Sequence, residues 1–543
     1  MNDVIGKLTP GKVLSYVSYL HEKPFSYHWT IYTGPAEYSD LPHIAAYRFV
    51  FLAESFPASI GLGGPPVRIR AELYSDARLY PLRYRVETKS SVNTLIAIEN
   101  QVLIILPDGT TQTVEVTSFR SVLGENLGQL ALALKFAENE LDDSFTGQFF
   151  SLGGISLFDY SLSPLQKPDA AASSGRWFRS SFMEDLLIDD DGWLERHELV
   201  SEGMVSIREE TPVPDWVNEP LYENPLQYTK PENASFAVRE VQVPGPTVPI
   251  GTTITIPRGP GPHPVAIFLG GSGAHDRHGI AGDVDLGSHE IVDFLSENGW
   301  LCARFDSRGA GSTGIGSDLL EFGVEEIVND ARAVMKYVMA LDEARSTSVA
   351  LVGHSQGGVI AMELAVGEES VQSIVLLATP GRALDEVLRD QILVRAEWLK
   401  LGSEQIETQI AEFEEFLRVI KSGSPWTREN VPQRFFVLKR LRKWYLDHLN
   451  RNPSQLITRL KCPVLICQGR KDFQVSAEKD ARALYQAASD AGLRVEMEIF
   501  DDLDHLFKQV EGDSHISQYY DPHRKVADVL KQRILDFINS HRQ

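Results

Sequence analysis

The chain has 543 residues, too many for one ordinary hydrophobic core, so two or three domains are expected. Its 52 basic against 75 acidic residues give a formal net charge of −23, which repels phosphate backbones and anionic membranes and argues against a nucleic-acid partner. Three cysteines, Cys302, Cys462 and Cys467, are too few for a disulfide framework. They have no zinc-ligand spacing and fall in apolar runs, as core residues of a reducing compartment would.

The opening residues lack the basic and apolar regions of a signal peptide, and no run approaches the ~20 apolar residues that span a bilayer. A cytoplasmic location is the expectation.

Residues 1–230 read as a β-rich domain, a curved sheet or partial barrel without the repeat of a propeller. Strand-like runs fall at 44–54, 67–73, 79–88, 95–106 and 112–117, separated by turn signals such as Gly61-Leu-Gly-Gly-Pro-Pro and Pro107-Asp108-Gly109. A helical patch at 127–140 precedes further strands at 147–160, 175–183 and 193–208. Asp189-Asp-Asp-Gly192 reads as a hairpin turn, because a calcium loop needs spaced ligands and a glutamate at its twelfth position. The aromatic residues here read as core or interface rather than as a ligand groove. No catalytic constellation is present, and the Pro-rich stretch 211–231 reads as a linker.

A second domain is expected over 231–543, and from Ser235 the pattern changes. Two antiparallel strands, at 241–243 and 250–256, lead into an alternation of strand, loop and helix that marks a mainly parallel α/β sheet. Strand 264–269 is followed by the loop Gly270-Gly-Ser-Gly-Ala-His-Asp-Arg-His-Gly279. Helix 288–298 leads to strand 300–305 and the loop from Asp306 to Gly311. Val324, Ile327, Val328, Ala331, Val334, Met335 and Val338 recur at helical period. Strand 371–378 closes this run, and residues 381–459 interrupt it with charged, strandless, amphipathic sequence at 406–420 and 435–449. Such an insertion at the carboxyl end of the sheet is expected to form a helical cap. The alternation resumes with strand 462–467, helix 477–491, strand 494–500 and a last helix at 526–539.

The centre of this half is Gly353-His354-Ser355-Gln356-Gly357, between an apolar strand and a helix. It fits the G-x-S-x-G nucleophile elbow, in which a strained turn exposes the serine hydroxyl while glycines at either side let strand and helix pass closely. A serine nucleophile needs a base, and the base needs an acid to set its tautomer. In this topology both follow the serine in the order acid then histidine, on loops after later strands. Asp472 follows the strand ending at Cys467, and His505 follows the strand ending at Phe500. Asp501, Asp502 and Asp504, with His515 and His523, are weaker rivals by position.

The oxyanion donors are expected from the backbone N–H of Gln356 and from Gly271 or Ser272. The glycine-rich loop lacks a Gly-Lys-Ser/Thr ending and G-x-G-x-x-G, which argues against a nucleotide. Asp276-Arg277 and Asp306/Arg308 read as charge pairs bracing these loops. No metal and no cofactor is expected.

These motifs, with Gln468-Gly-Arg-Lys-Asp-Phe-Gln-Val and Asp504-His-Leu-Phe-Lys, together resemble the bacterial α/β-hydrolase esterases of the EstD type over residues 235–543. The resemblance implies a carboxylesterase with Ser355, Asp472 and His505 as triad. The chain departs from many α/β-hydrolases in having Gly270-Gly271 where they have His-Gly, which points to a different brace for the oxyanion loop. The expected activity is hydrolysis of a small-molecule ester through an acyl-enzyme. Thioester, lactone or acyl-transfer chemistry on the same triad stays open, as does a ligand-binding or scaffold protein on a hydrolase shell. Homo-oligomerisation is compatible with the sequence.

Overall fold

The computed structural model describes residues 5, 8–36, 46–77, 79–89, 92–98, 101–105, 111–115, 121–122, 127–136, 145–151, 156–167, 175–182, 184–223, 226–314, 322–427 and 430–542. The turn Pro107-Asp108-Gly109 and the ends of several expected strands lie outside them. The chain divides into two compact units. One comprises Met1–Pro225 with Ala396–Glu415 and Trp426–Val437; the other comprises Leu226–Arg395, Phe416–Pro425 and Leu438–Gln543.

The first unit is built on one sheet of 15 strands. Its first and last strands, Val13–Leu20 and Met204–Arg208, pair antiparallel in the middle, with Tyr16 opposite Arg208 and Leu20 opposite Met204. Two arms step outward from this pair with antiparallel neighbours, except at the end of the second, where Ser121–Val122 pairs parallel with Phe145–Ser151 across a connection that holds a helix. One arm runs through Lys23–Ala36, Ala46–Ser55, Val67–Ser75 and Pro81–Glu87 to the edge strand Thr111–Glu115. The other runs through Leu194–Leu199, Glu184–Asp189 and Gly175–Ser180 to Ser121–Val122. The run expected at 95–106 is two paired strands, Val92–Ile98 and Gln101–Ile105. The run expected at 147–160 is likewise divided, into Phe145–Ser151 and Ser156–Pro164.

The helix Leu127–Phe136 is apolar around most of its circumference, as a helix buried on all sides must be. Leu132 packs with Phe49, Phe51 and Tyr84 of one arm. Ala131 and Leu134 pack with Tyr16, Phe149 and Phe178, so these aromatic residues are core.

Two further segments of this unit pack onto its sheet. Trp216, in the stretch read as linker, is 5% exposed and meets Trp29 edge-on. Ala396, Leu399 and Leu401, from the insertion, share a buried cluster with Leu20 and pack against Phe25, Ile60 and Met204. A ring nitrogen of His21 lies 2.8 Å from the Leu399 carbonyl, and Gln409 donates to the Ser201 carbonyl. The insertion expected as one cap at 381–459 is therefore shared between the two units. Amphipathicity shows that a helix buries a face, not what covers it.

The second unit holds an eight-stranded sheet in the order Phe236–Pro244, Pro249–Pro257, Leu301–Phe305, His263–Leu269, Ala344–His354, Val371–Leu377, Val464–Gly469, Val495–Phe500. Pro249–Pro257 is antiparallel to both of its neighbours, and from Leu301–Phe305 onward the sheet is parallel. Parallel neighbours need crossovers, and helices covering both faces explain why the central strands are apolar without alternation. Val324–Met339 and Gln356–Ala365 pack with Ile267, Leu351 and Ile374 on one face. Ser288–Glu297 and Asp528–Ser540 pack with Phe268, Val352 and Leu465 on the other.

The strand chain order reverses between Leu301–Phe305 and His263–Leu269, and ligands in such sheets lie beyond the carboxyl ends of strands near a reversal. Between Val371–Leu377 and Val464–Gly469 come the helices Leu384–Trp398, Ser403–Ser422, Gln433–Phe436, Arg442–Leu449 and Pro453–Ile457.

Candidate active site

Ser355 stands between the strand Ala344–His354 and the helix Gln356–Ala365 with φ +53° and ψ −121°. That conformation costs a non-glycine residue about 1–3 kcal/mol and persists only where neighbours enforce it. Here the backbone N–H of Ser355 donates to the Leu377 carbonyl at 2.7 Å, and its carbonyl accepts from Gly358. A Cβ on Gly353 would strike the backbone of Gly357 and Gly358, and one on Gly357 would strike the carbonyls of Leu269 and Gly270. The two glycines thus let the helix start directly against both the strand behind it and the loop after His263–Leu269.

That loop brings Gly271 beside the serine: a Cβ on Gly271 would lie 3.3 Å from the Cβ of Ser355. His275 supplies its brace. One ring nitrogen is 3.1 Å from the Gly271 carbonyl and the other 3.1 Å from the Asp276 carbonyl. A side chain on Gly270 would collide with this ring, which gives the Gly270-Gly271 sequence its steric reason.

The charge pairs expected around this loop are different from those observed. Arg277 forks onto Asp306, with Nε 2.9 Å from Oδ1 and Nη2 2.7 Å from Oδ2. Arg308 forks onto Asp330. Asp276 instead accepts the backbone N–H groups of His278 and Ile280, closing a turn.

At the other side of the sheet end, Asp472 follows Val464–Gly469 with its side chain fully buried. Its Oδ1 accepts from the backbone N–H of Gln474 at 2.7 Å and of Val475 at 2.9 Å. Its Oδ2 accepts from Gln468 Nε2 at 2.8 Å and from His505 Nδ1 at 2.7 Å. A carboxylate held by two backbone donors cannot turn, so the pairing favours the tautomer of His505 with its proton on Nδ1 and a lone pair on Nε2. The adjacent His354 donates Nε2–H to the carbonyl of His505 at 2.8 Å. Burial, with the second imidazole nearby, pushes the His354 pKa down to about 3, so its ring stays neutral. Its position one residue before the serine gave no sequence signal of this role.

The rivals are engaged elsewhere. Asp504 accepts from the backbone of Leu506 and Lys508 and pairs with Arg524 at 2.6 Å, and the exposed Asp501 pairs with Arg470. His515 caps the turn at Ile516–Tyr520, and His523 is exposed.

Ser355 and Gln356 line a small cavity of about 120 Å³ with Ser272 and Val475. The insertion supplies Leu384, Val387 and Leu388 from one helix and Trp444 and His448 from another. Among the described residues, Asp285, His289 and Glu290 could bring ligand atoms within 4.8 Å of one another. The two carboxylates already accept the backbone N–H groups of Gly287 and Val526. Among the described residues no helix is long and apolar enough to cross a membrane. The cysteines are free, and burial pushes the Cys302 thiol up to about 12 and the Cys462 thiol to about 11.

Residues 277–508 match the Hydrolase_4 family model, described as serine aminopeptidase, S33. Esterase EstD of Thermotoga maritima is 31% identical over 300 residues, 55% of this chain and 66% of EstD. The chain has the α/β-hydrolase fold. It also matches the 2,6-dihydropseudooxynicotine hydrolase of Paenarthrobacter nicotinovorans, at 26% over 132 residues, 24% of this chain and 31% of that enzyme. It thus spans just under two thirds of the first of these curated relatives and under a third of the second. An esterase structure from Pyrococcus furiosus aligns over 59% of this chain and 96% of its own, at 15% identity and a TM-score of 0.40. For an α/β-hydrolase, what sequence reasoning missed is support and lining: His275 and His354 beneath the site, and Trp444 and His448 in its wall.

Proposed function

We propose that this α/β-hydrolase cleaves carboxylic esters through an acyl-enzyme on Ser355. The observation that carries the reading is the buried His505–Asp472 pair at 2.7 Å, on loops following later strands than the one that ends at the strained, cavity-lining Ser355. His505 Nε2 takes the hydroxyl proton as Ser355 attacks the acyl carbon, then returns it to the departing alcohol. Water activated by the same nitrogen releases the acid.

The oxyanion that forms in each half-reaction is met by the N–H of Gln356, at the positive end of its helix, and by that of Gly271 or Ser272. The helices that flank the cavity act as the cap. The small cavity favours a short acyl group. The matched family's description names an aminopeptidase, yet among the described residues lining the cavity there is no Asp or Glu to bind a substrate amine, which favours an ester. Thioesters and lactones suit the same triad.

Ser355→Ala should abolish p-nitrophenyl butyrate hydrolysis and fluorophosphonate labelling while leaving the thermal melt intact. Retained turnover would refute the mechanism, and an unlabelled wild-type serine would favour a binding protein.

A further inference from the structure

The cavity around Ser355 is walled by nitrogen donors and, among its described lining residues, by no acid. Two side-chain nitrogens of its lining residues have no partner. His448, 8% exposed, leaves Nε2 without a hydrogen bond, and Gln356, 7% exposed, leaves its side-chain Nε2 likewise. Natural structures keep few such groups, because an unpaired buried donor has lost water and gained nothing.

Two arginines line the same cavity. Arg382 is committed to Asp480 and Asp390. Arg451 places Nε on Glu363 at 3.2 Å and Nη1 on the Asp447 carbonyl at 2.7 Å, which leaves Nη2 without an acceptor among the described residues. Burial and the neighbouring Arg451 push the His448 pKa down to about 3, so the ring is neutral, and it offers an N–H to an acceptor when its one proton sits on Nε2. Its ring is fixed against Trp444, with centroids 4.4 Å apart. Val359, Leu384, Val387 and Leu388 give the remaining wall its apolar part, beside Ser272, Gln391 and Gln474.

We propose that the preferred substrates are esters bearing a second, free carboxylate, such as half-esters of short dicarboxylic acids, seated on His448, the Gln356 side chain and Arg451. The proposal rests on Ser355 being the nucleophile. An anionic acceptor satisfies both orphaned donors and the spare guanidinium N–H at once, and the apolar wall accommodates the short chain between carboxylate and ester. A neutral acceptor of the same shape would engage the N–H groups without the charge, and charge-assisted hydrogen bonds are about twice as strong.

The test uses the full chain and three ethyl esters of one length: monoethyl succinate, ethyl levulinate, in which a ketone replaces the carboxylate, and ethyl pentanoate. Acetoxyacetate against acetoxyacetone places the same contrast on the alcohol side. On one side or the other, kcat/KM for the carboxylate should exceed that for the ketone at least about tenfold. His448→Phe, which keeps the ring against Trp444 and loses Nε2, should lower that ratio about tenfold, and His448→Gln should recover part of it. Wild-type ratios at or below one on both sides would overturn the proposal without reference to any variant, as would a ratio unmoved in a folded His448→Phe protein. No hydrolysis of any of the esters would instead count against the esterase reading itself.

Discussion

Asp472→Asn separates a triad from a structural ion pair. The carboxylate takes two backbone N–H bonds on Oδ1, at 2.7 and 2.9 Å, and two side-chain bonds on Oδ2. An asparagine must keep its carbonyl toward the two fixed backbone donors, so its NH2 group faces Gln468 Nε2 and His505 Nδ1. His505 can then pair only by giving up the Nδ1 proton, and the tautomer that results has no lone pair on Nε2 to accept a proton from Ser355. A histidine held in the wrong tautomer lowers kcat by about 10⁴, or about 5 kcal/mol of barrier. Folding should suffer less. Gln468 Nε2 still reaches the Gly469 and Val475 carbonyls at 3.2 and 3.1 Å, so the loss should stay within about 2 kcal/mol. The assay is kcat on p-nitrophenyl butyrate beside a thermal melt. A variant that melts like the wild type and retains more than a tenth of its kcat would refute the assignment of Asp472.

A chain beginning at residue 226 should fail to fold cooperatively. It strips Leu20, Phe25 and Met204 from Ala396, Leu399 and Leu401, and re-exposing the two leucines alone costs about 3–6 kcal/mol; a soluble fragment with the full chain's melting temperature would contradict this. Gly357→Ala drives a Cβ into the Leu269 and Gly270 carbonyls and should remove most activity together with about 1–3 kcal/mol of stability, read by denaturant titration. Burial holds His28 down to about 4 and His448 to about 3. The unfolded chain protonates these rings first, near pH 6.5, so their stability contribution is complete above that pH. It falls by up to about 1.4 kcal/mol per ring per pH unit as pH drops toward the folded values. Urea midpoints that stay flat from pH 7 to pH 5 would exclude this, and His448→Phe should flatten the slope.

The parallel sheet was legible because a strand buried on both faces leaves an apolar run, and its helices repeat at 3.6 residues. The elbow then predicted the location of Asp472 and His505 by topology. The strands Val13–Leu20 and Lys23–Ala36 escaped notice for a related reason. Ser15, Tyr16, Val17 and Ser18 are consecutively buried, so a strand rich in serine and tyrosine shows neither alternation nor an apolar run. The strands at 92–105 merged because only two residues separate them. His275, His354 and His448 act through contacts distant in sequence, and nothing local marks a histidine as a brace or as a wall.

The discontinuity of the first unit bears on the order in which the protein can form. Its sheet is encoded before residue 225, but its buried cluster around Leu20 is completed only by residues 396–401, and its last segment ends at Val437. A chain emerging from the ribosome therefore presents Leu20, Phe25 and Met204 uncovered while most of the catalytic sheet is still being made. The final strands that carry Asp472 and His505 follow only after that cluster can close. One buried cluster of the first unit must wait for a segment encoded between strands of the second, so the N-terminal half covers all of its apolar surface only in the longer chain, and a helper that shields apolar surface would act on it during that interval.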